Sequence, residues 1–215
     1  VRIDIWSDVV CPWCYLGSRR LDAALEQVGR DGVEVHWRAF QLDPAAPSEP
    51  GDLRAALEQK YGPGAFDSMT RRLTALGTAE GIDYRFDLAQ RVNTADAHRL
   101  IAWAGELDAA DPSGGGRQAA LVERLFHDYF TVGAVVSDPA VLVAAAGSAG
   151  LDEGRASEVL TSGAYTEQVR DDREQAVEAG ISGVPAFVVN RDWLIPGAQD
   201  TERLVQLLQR ARDRG

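Results

Sequence analysis

Cys11 and Cys14 are the only cysteines in this chain of 215 residues, and they form one C-x-x-C with Pro12 and Trp13 between them. An extracellular disulfide framework normally shows more pairs, so a lone C-x-x-C reads as chemistry. Two thiols at this spacing can close on each other. A thiolate that attacks a disulfide needs such a neighbour to release what it has captured. If Pro12 opens a helix, Cys11 takes the N-cap position and Cys14 follows three residues on, facing the same side. The Cys11 sulfur then lies against unpaired amides at the positive helix end, which favour a thiolate over a thiol. On this reading Cys11 is the accessible nucleophile and Cys14 the resolving thiol, while Pro12 pre-orders the turn and Trp13 is a partly exposed apolar lid. Zinc is the competing use of C-x-x-C. No second cysteine pair exists, and His36, His98 and His127 lack H-x3-5-H spacing, so no metal is expected.

Such a site requires a strand that ends, and a helix that begins, at the motif. Ile3 and Ile5 alternate with Arg2 and Asp4 at strand period, and Leu16, Leu21, Ala24, Leu25 and Val28 then follow at helical spacing. Gly29 and Gly32 close that helix, and Val33, Val35, Trp37 and Ala39 alternate with polar residues as a second strand, which completes a βαβ unit. Three prolines within 44–50 mark an exit from the first half of a core domain. Helical patterns are predicted at 52–59, 65–79, 94–107, 118–130 and 139–146, the last begun by Asp138 as N-cap with Pro139 behind it. Ser113, Gly114, Gly115 and Gly116 read as a loop rather than a phosphate cradle, because no Gly-Lys-Ser/Thr follows. A last amphipathic helix is expected near 165–179, then a strand at 186–189, a turn, an antiparallel strand at 193–195, and a closing helix whose stripe is Leu204, Leu207, Leu208 and Ala211.

Composition narrows the partners. At about 150 residues per domain the length allows one to two domains with a real core. Acidic residues number 33 against 22 basic ones, and a net charge of −11 argues against a broad electrostatic hold on nucleic acid or anionic lipid. The arginines at 203, 210, 212 and 214 are accordingly read as a solvated helix face. No run of about 18 apolar residues exists to span a membrane. The first residues lack the apolar stretch of a secretory signal, so a cytoplasmic address is expected, although a leader removed ahead of Val1 would leave no trace.

The run Ser7-Asp8-Val9-Val10-Cys11-Pro12-Trp13-Cys14-Tyr15-Leu16-Gly17 resembles the opening of the cytoplasmic DsbA-like oxidoreductases of the FrnE type. Gly183-Val184-Pro185-Ala186-Phe187-Val188 is similar to that family's cis-proline strand, and Ile195-Pro196-Gly197-Ala198-Gln199 to its Gly-Ala-Gln turn. Asn93-Thr94 with His98 is similar to an Asn-Thr...Ala-His segment of its helical insertion. The resemblance implies an α/β thioredoxin-like fold with a large helical insertion: a discontinuous core of 1–48 and 161–215 around an insertion of 49–160. It implies dithiol–disulfide exchange on protein or small-thiol disulfides, with no cofactor, and with glutathione as a candidate redox partner. It also implies a cis Val184–Pro185 bond beside Cys11, and it makes Asn93, His98 and Gln199 candidates for substrate binding. Simpler roles stand beside these: Asn93 and Thr94 as a capping pair, His98 as a core histidine, Gln199 as a turn cap. Related glutathione transferases and 2-hydroxychromene-2-carboxylate isomerases carry a serine where Cys11 stands. The rivals to exchange are therefore a glutathione-dependent isomerase or transferase, and a binding module switched by its cysteine pair without turnover.

Overall fold

The computed structural model describes residues 1–111 and 115–213. Ser113 and Gly114 of the expected glycine loop, and Arg214 of the arginine group, lie outside the described residues. The βαβ unit is present as β1 (Arg2–Ser7), α1 (Pro12–Val28) and β2 (Glu34–Ala39), with β1 and β2 parallel and Ile5 opposite Trp37. β3 (Ala186–Val189) lies antiparallel to β1, and β4 (Trp193–Pro196) antiparallel to β3, so the strand order is β2-β1-β3-β4. α9 (Thr201–Asp213) packs beside α1.

Period-two alternation decides which side of the sheet each residue serves. Ile3, Ile5, Phe187 and Val189 join Leu16, Leu25, Leu204 and Leu208 in the core formed with α1 and α9. Trp6 and Ala186 face the other way and pack with Ala176 and Ile181. Ala176 belongs to α8 (Thr166–Glu178), and the Trp6 indole N–H donates to the Asp172 carbonyl of that helix at 2.8 Å.

Between β2 and α8 lie α2 (Leu53–Tyr61), α3 (Ala65–Ala79), α4 (Ala95–Ala109), α5 (Arg117–His127), α6 (Pro139–Ser148) and α7 (Glu153–Ser162). α5 and α8 are tied to the sheet at its β2 edge, where unpaired backbone groups need partners. The Gln118 amide oxygen accepts the Trp37 N–H at 3.0 Å and its nitrogen donates to the Trp37 carbonyl at 3.1 Å, while Asp172 accepts the Ala39 N–H at 3.0 Å. α4 packs on β2, α5 and α8.

Two departures from the sequence expectation concern this helical stretch. The segment expected as one helix over 118–130 ends as α-helix at His127 and continues as a single wider turn at Asp128–Val132, closed by Gly133 at φ 76°. Apolar spacing cannot separate these two turn types over five residues, and such π-turns recur near functional sites. α7 is absent from the expected segments because only Ala156 and Val159 on it are buried, too few to make a stripe.

Candidate active site

The site forms where β1 ends and α1 begins. Cys11 is the N-cap of α1 in extended conformation, with Pro12 at the first helical position. Its N–H donates to Asp8 O at 3.0 Å, and its carbonyl accepts the N–H groups of Cys14 at 3.0 Å and Tyr15 at 3.2 Å. The motif is thus the first turn of the helix. One expectation fails: the Cys11 side chain makes no capping hydrogen bond and is 3% exposed rather than accessible. A neutral thiol is a weak donor, and this one turns to the Val184 carbonyl, with Sγ at 3.7 Å.

That contact joins the two ends of the sequence. The Val184–Pro185 bond is cis, as the resemblance implies. Pro185 O accepts the Gly197 N–H at 2.8 Å, which anchors the loop to the far end of β4. α1 approaches the loop closely at Gly17, where a Cβ would stand 3.2 Å from Pro185 Cγ.

Cys14 is 1% exposed. Burial, and then the neighbouring Cys11, pushes its thiol well above the ordinary range, with Ser7 and the Asp8 backbone acting the other way. The Ser7 hydroxyl is itself buried, with no nitrogen or oxygen partner. Asp8, 1% exposed, divides its carboxylate between the Leu42 N–H at 2.7 Å and His98 Nε2 at 3.2 Å. His98 is therefore a satisfied core histidine that braces the loop leading into the motif. Trp13 is half-buried, with the Arg72 guanidinium 5.4 Å from its ring centroid.

The other candidates stand farther out. Asn93 accepts the Ala95 N–H at 2.9 Å and donates to Ala46 O at 3.0 Å, which fastens the start of α4 to the proline-rich segment. Thr94, the N-cap itself, makes no side-chain cap bond. Gln199 donates to Pro196 O at 2.6 Å and closes its own turn. Sequence reasoning missed Ser7, Asp8 and Gly17 as supports, although all three fall in the run around the motif. It also missed Tyr84, whose phenol donates to the Pro12 carbonyl at 2.5 Å from 72 residues away, a distance no local pattern can register.

With the geometry in view, the comparisons agree on its class. The DSBA-like thioredoxin domain matches residues 2–209, and the chain belongs to that family. The crystal structure of a "probable DsbA oxidoreductase" from Streptomyces coelicolor is 36% identical, with a TM-score of 0.88 over 99% of this chain and 90% of that one. The protein YwbO of Bacillus subtilis is 27% identical over 199 residues, 92% of this chain and 90% of its own length. A cytosolic disulfide reductase, DsbM of Pseudomonas aeruginosa, shares the fold at 18% identity, with a TM-score of 0.71 over the whole of both chains.

Proposed function

We propose that this protein is a thiol-disulfide oxidoreductase of the FrnE type, working in the cytoplasm on disulfides of proteins or small thiols. The observation that carries the reading is the meeting of an N-cap cysteine, a second cysteine one turn on, and a cis-proline loop whose preceding carbonyl lies 3.7 Å from the first sulfur. In this reading the chain divides into a redox core of 1–48 and 161–215 and a helical insertion of 49–160.

Cys11 attacks one sulfur of a substrate disulfide, forming a mixed disulfide and releasing the other half as a thiolate. Cys14 then attacks the Cys11 sulfur, forming the Cys11–Cys14 disulfide and releasing the second half. The proton from Cys14 leaves with that departing thiolate. Two electrons pass to the substrate, and two molecules of a thiol such as glutathione restore the protein dithiol. Pro12 fixes the turn, Trp13 covers it, and Val184 with Pro185 offers extended backbone to the substrate chain. Asn93, His98 and Gln199 act from behind, holding the loops that frame the site.

Reduction of an insulin-type disulfide with glutathione as electron source tests the proposal. The parent protein turns over, Cys11→Ser does not, and Cys14→Ala accumulates a mixed disulfide through Cys11 because nothing resolves it. Absence of turnover with reversible closure of the cysteine pair would favour the redox-switched binding module. Glutathione conjugation or isomerisation of an aromatic substrate by Cys11→Ser at the parent rate would overturn the oxidoreductase reading.

A further inference from the structure

Tyr84 lies between α3 and α4, yet its side chain ends inside the redox turn. Its hydroxyl donates to the Pro12 carbonyl at 2.5 Å. Pro12 and Leu16 are the two ends of one i, i+4 helical step, and Cys14 sits between them. The phenol therefore grips the short stretch of helix that carries the second thiol.

The ring is held as firmly as the hydroxyl. It is 5% exposed and stacks on Phe86, with centroids 5.0 Å apart. It meets Tyr15 edge-on at 6.0 Å and Phe130 edge-on at 5.2 Å. Gly77 supplies the remaining wall, where an added Cβ would fall 2.4 Å from two ring carbons. Burial, followed by the facing Cys11, Tyr15 and Cys14, pushes the phenol far above its ordinary range, so it stays a hydroxyl and keeps its proton to donate. An exposed tyrosine filling a gap would show none of these constraints.

We propose that Tyr84 is a positioning residue for the dithiol: by clamping the Pro12–Leu16 step from outside α1, it favours the reduced placement of Cys14 and so biases the balance between dithiol and disulfide. The inference rests on the reading that Cys11 and Cys14 interconvert between those forms. The dithiol is the form in which Tyr84 meets Pro12, and closure must bring the two sulfurs to about 2.05 Å with a dihedral near 90°. A hydrogen bond anchored on Pro12 holds the first turn in its dithiol geometry. Removing it weakens the dithiol form more than the disulfide form.

The test is Tyr84→Phe, equilibrated in mixtures of reduced and oxidised glutathione, with the oxidised fraction read by thiol trapping and mass. In the measured equilibrium the protein dithiol and one glutathione disulfide become the protein disulfide and two glutathione thiols. The variant should shift it toward the protein disulfide by about three- to tenfold, the size of one net hydrogen bond. Leu142→Ala, which hollows a fully buried site on α6, serves as the control: it lowers thermal stability and leaves the redox equilibrium unchanged. A shift of less than threefold for Tyr84→Phe, or an equal shift in the control, overturns the inference. If Tyr84→Phe does not fold, Gly77→Ala decides, because it displaces the ring while keeping the hydroxyl. That variant must show the same shift, and its absence overturns the inference. A parent protein that equilibrates with glutathione but turns over no substrate disulfide defeats the enzymatic reading instead, and the redox equilibrium still decides the role of Tyr84.

Discussion

Replacing Gly17 by alanine tests whether the contact between α1 and the cis-proline loop is as tight as it looks. Gly17 sits inside a helix, so alanine there should stabilise α1 by about 0.5–1 kcal/mol through reduced backbone entropy. The new Cβ would meet Pro185 Cγ at 3.2 Å, Phe187 Cζ at 3.3 Å and Ala198 Cβ at 3.6 Å. Two of these contacts are too short, and neither partner has room to retreat. Phe187 is 1% exposed within the sheet core, and the Pro185 carbonyl is held by Gly197 at 2.8 Å. Overpacking of this kind costs about 1–3 kcal/mol, more than the helix gains. The expected net loss is about 1 kcal/mol, or about 2–4 °C in Tm for a chain of this size. Because the strain falls on Pro185, the Val184 carbonyl should move relative to the Cys11 sulfur, and kcat/KM for disulfide reduction should fall several-fold. Denaturant titration and insulin reduction on the same preparation measure both effects. A Gly17→Ala protein that is more stable than the parent and equally active would refute the reasoning, since only the helix term would then be acting.

Iodoacetamide treatment of the reduced protein near neutral pH should label Cys11 ahead of Cys14 although both sulfurs are covered, because burial and the neighbouring Cys11 hold the Cys14 thiol well above the ordinary range; mass mapping that finds equal rates contradicts this. Asp4→Asn should destabilise the protein by about 1 kcal/mol at pH 7, since its carboxylate accepts from Arg2 at 2.7 Å and Arg38 at 3.0 Å. Burial acts to raise the Asp4 pKa, but those hydrogen bonds outweigh it and hold it below 3.8. The stabilisation is therefore fully present above the unfolded value near 3.8 and is lost as pH falls through the lowered folded value, so parent and variant should converge in acid. Denaturation series at pH 7 and pH 3 check the sign, and a difference that grows in acid would reverse it.

The sequence alone determined what depends on neighbours along the chain. The alternation of Ile3 and Ile5, the start of α1 at Pro12 and the cap at Asp138 are local preferences, and each element stands where its pattern put it. The C-x-x-C likewise announced two thiols on one helical turn, because three residues of helix fix their relation. The cis bond at Pro185 became legible through family likeness, since a Val-Pro pair carries no sign of its isomer. Tertiary structure decided the rest, wherever partners lie far apart in sequence. Cys11 is covered rather than open because its sulfur meets Val184, 173 residues away. His98 spends its ring nitrogen on Asp8, Gln118 closes the β2 edge, and Tyr84 reaches Pro12, each across long stretches of chain. Periodicity reports which face of an element is buried and nothing about which element will cover it. The chemistry of the dithiol was therefore written in four adjacent residues, while its environment arose only when distant helices closed around them.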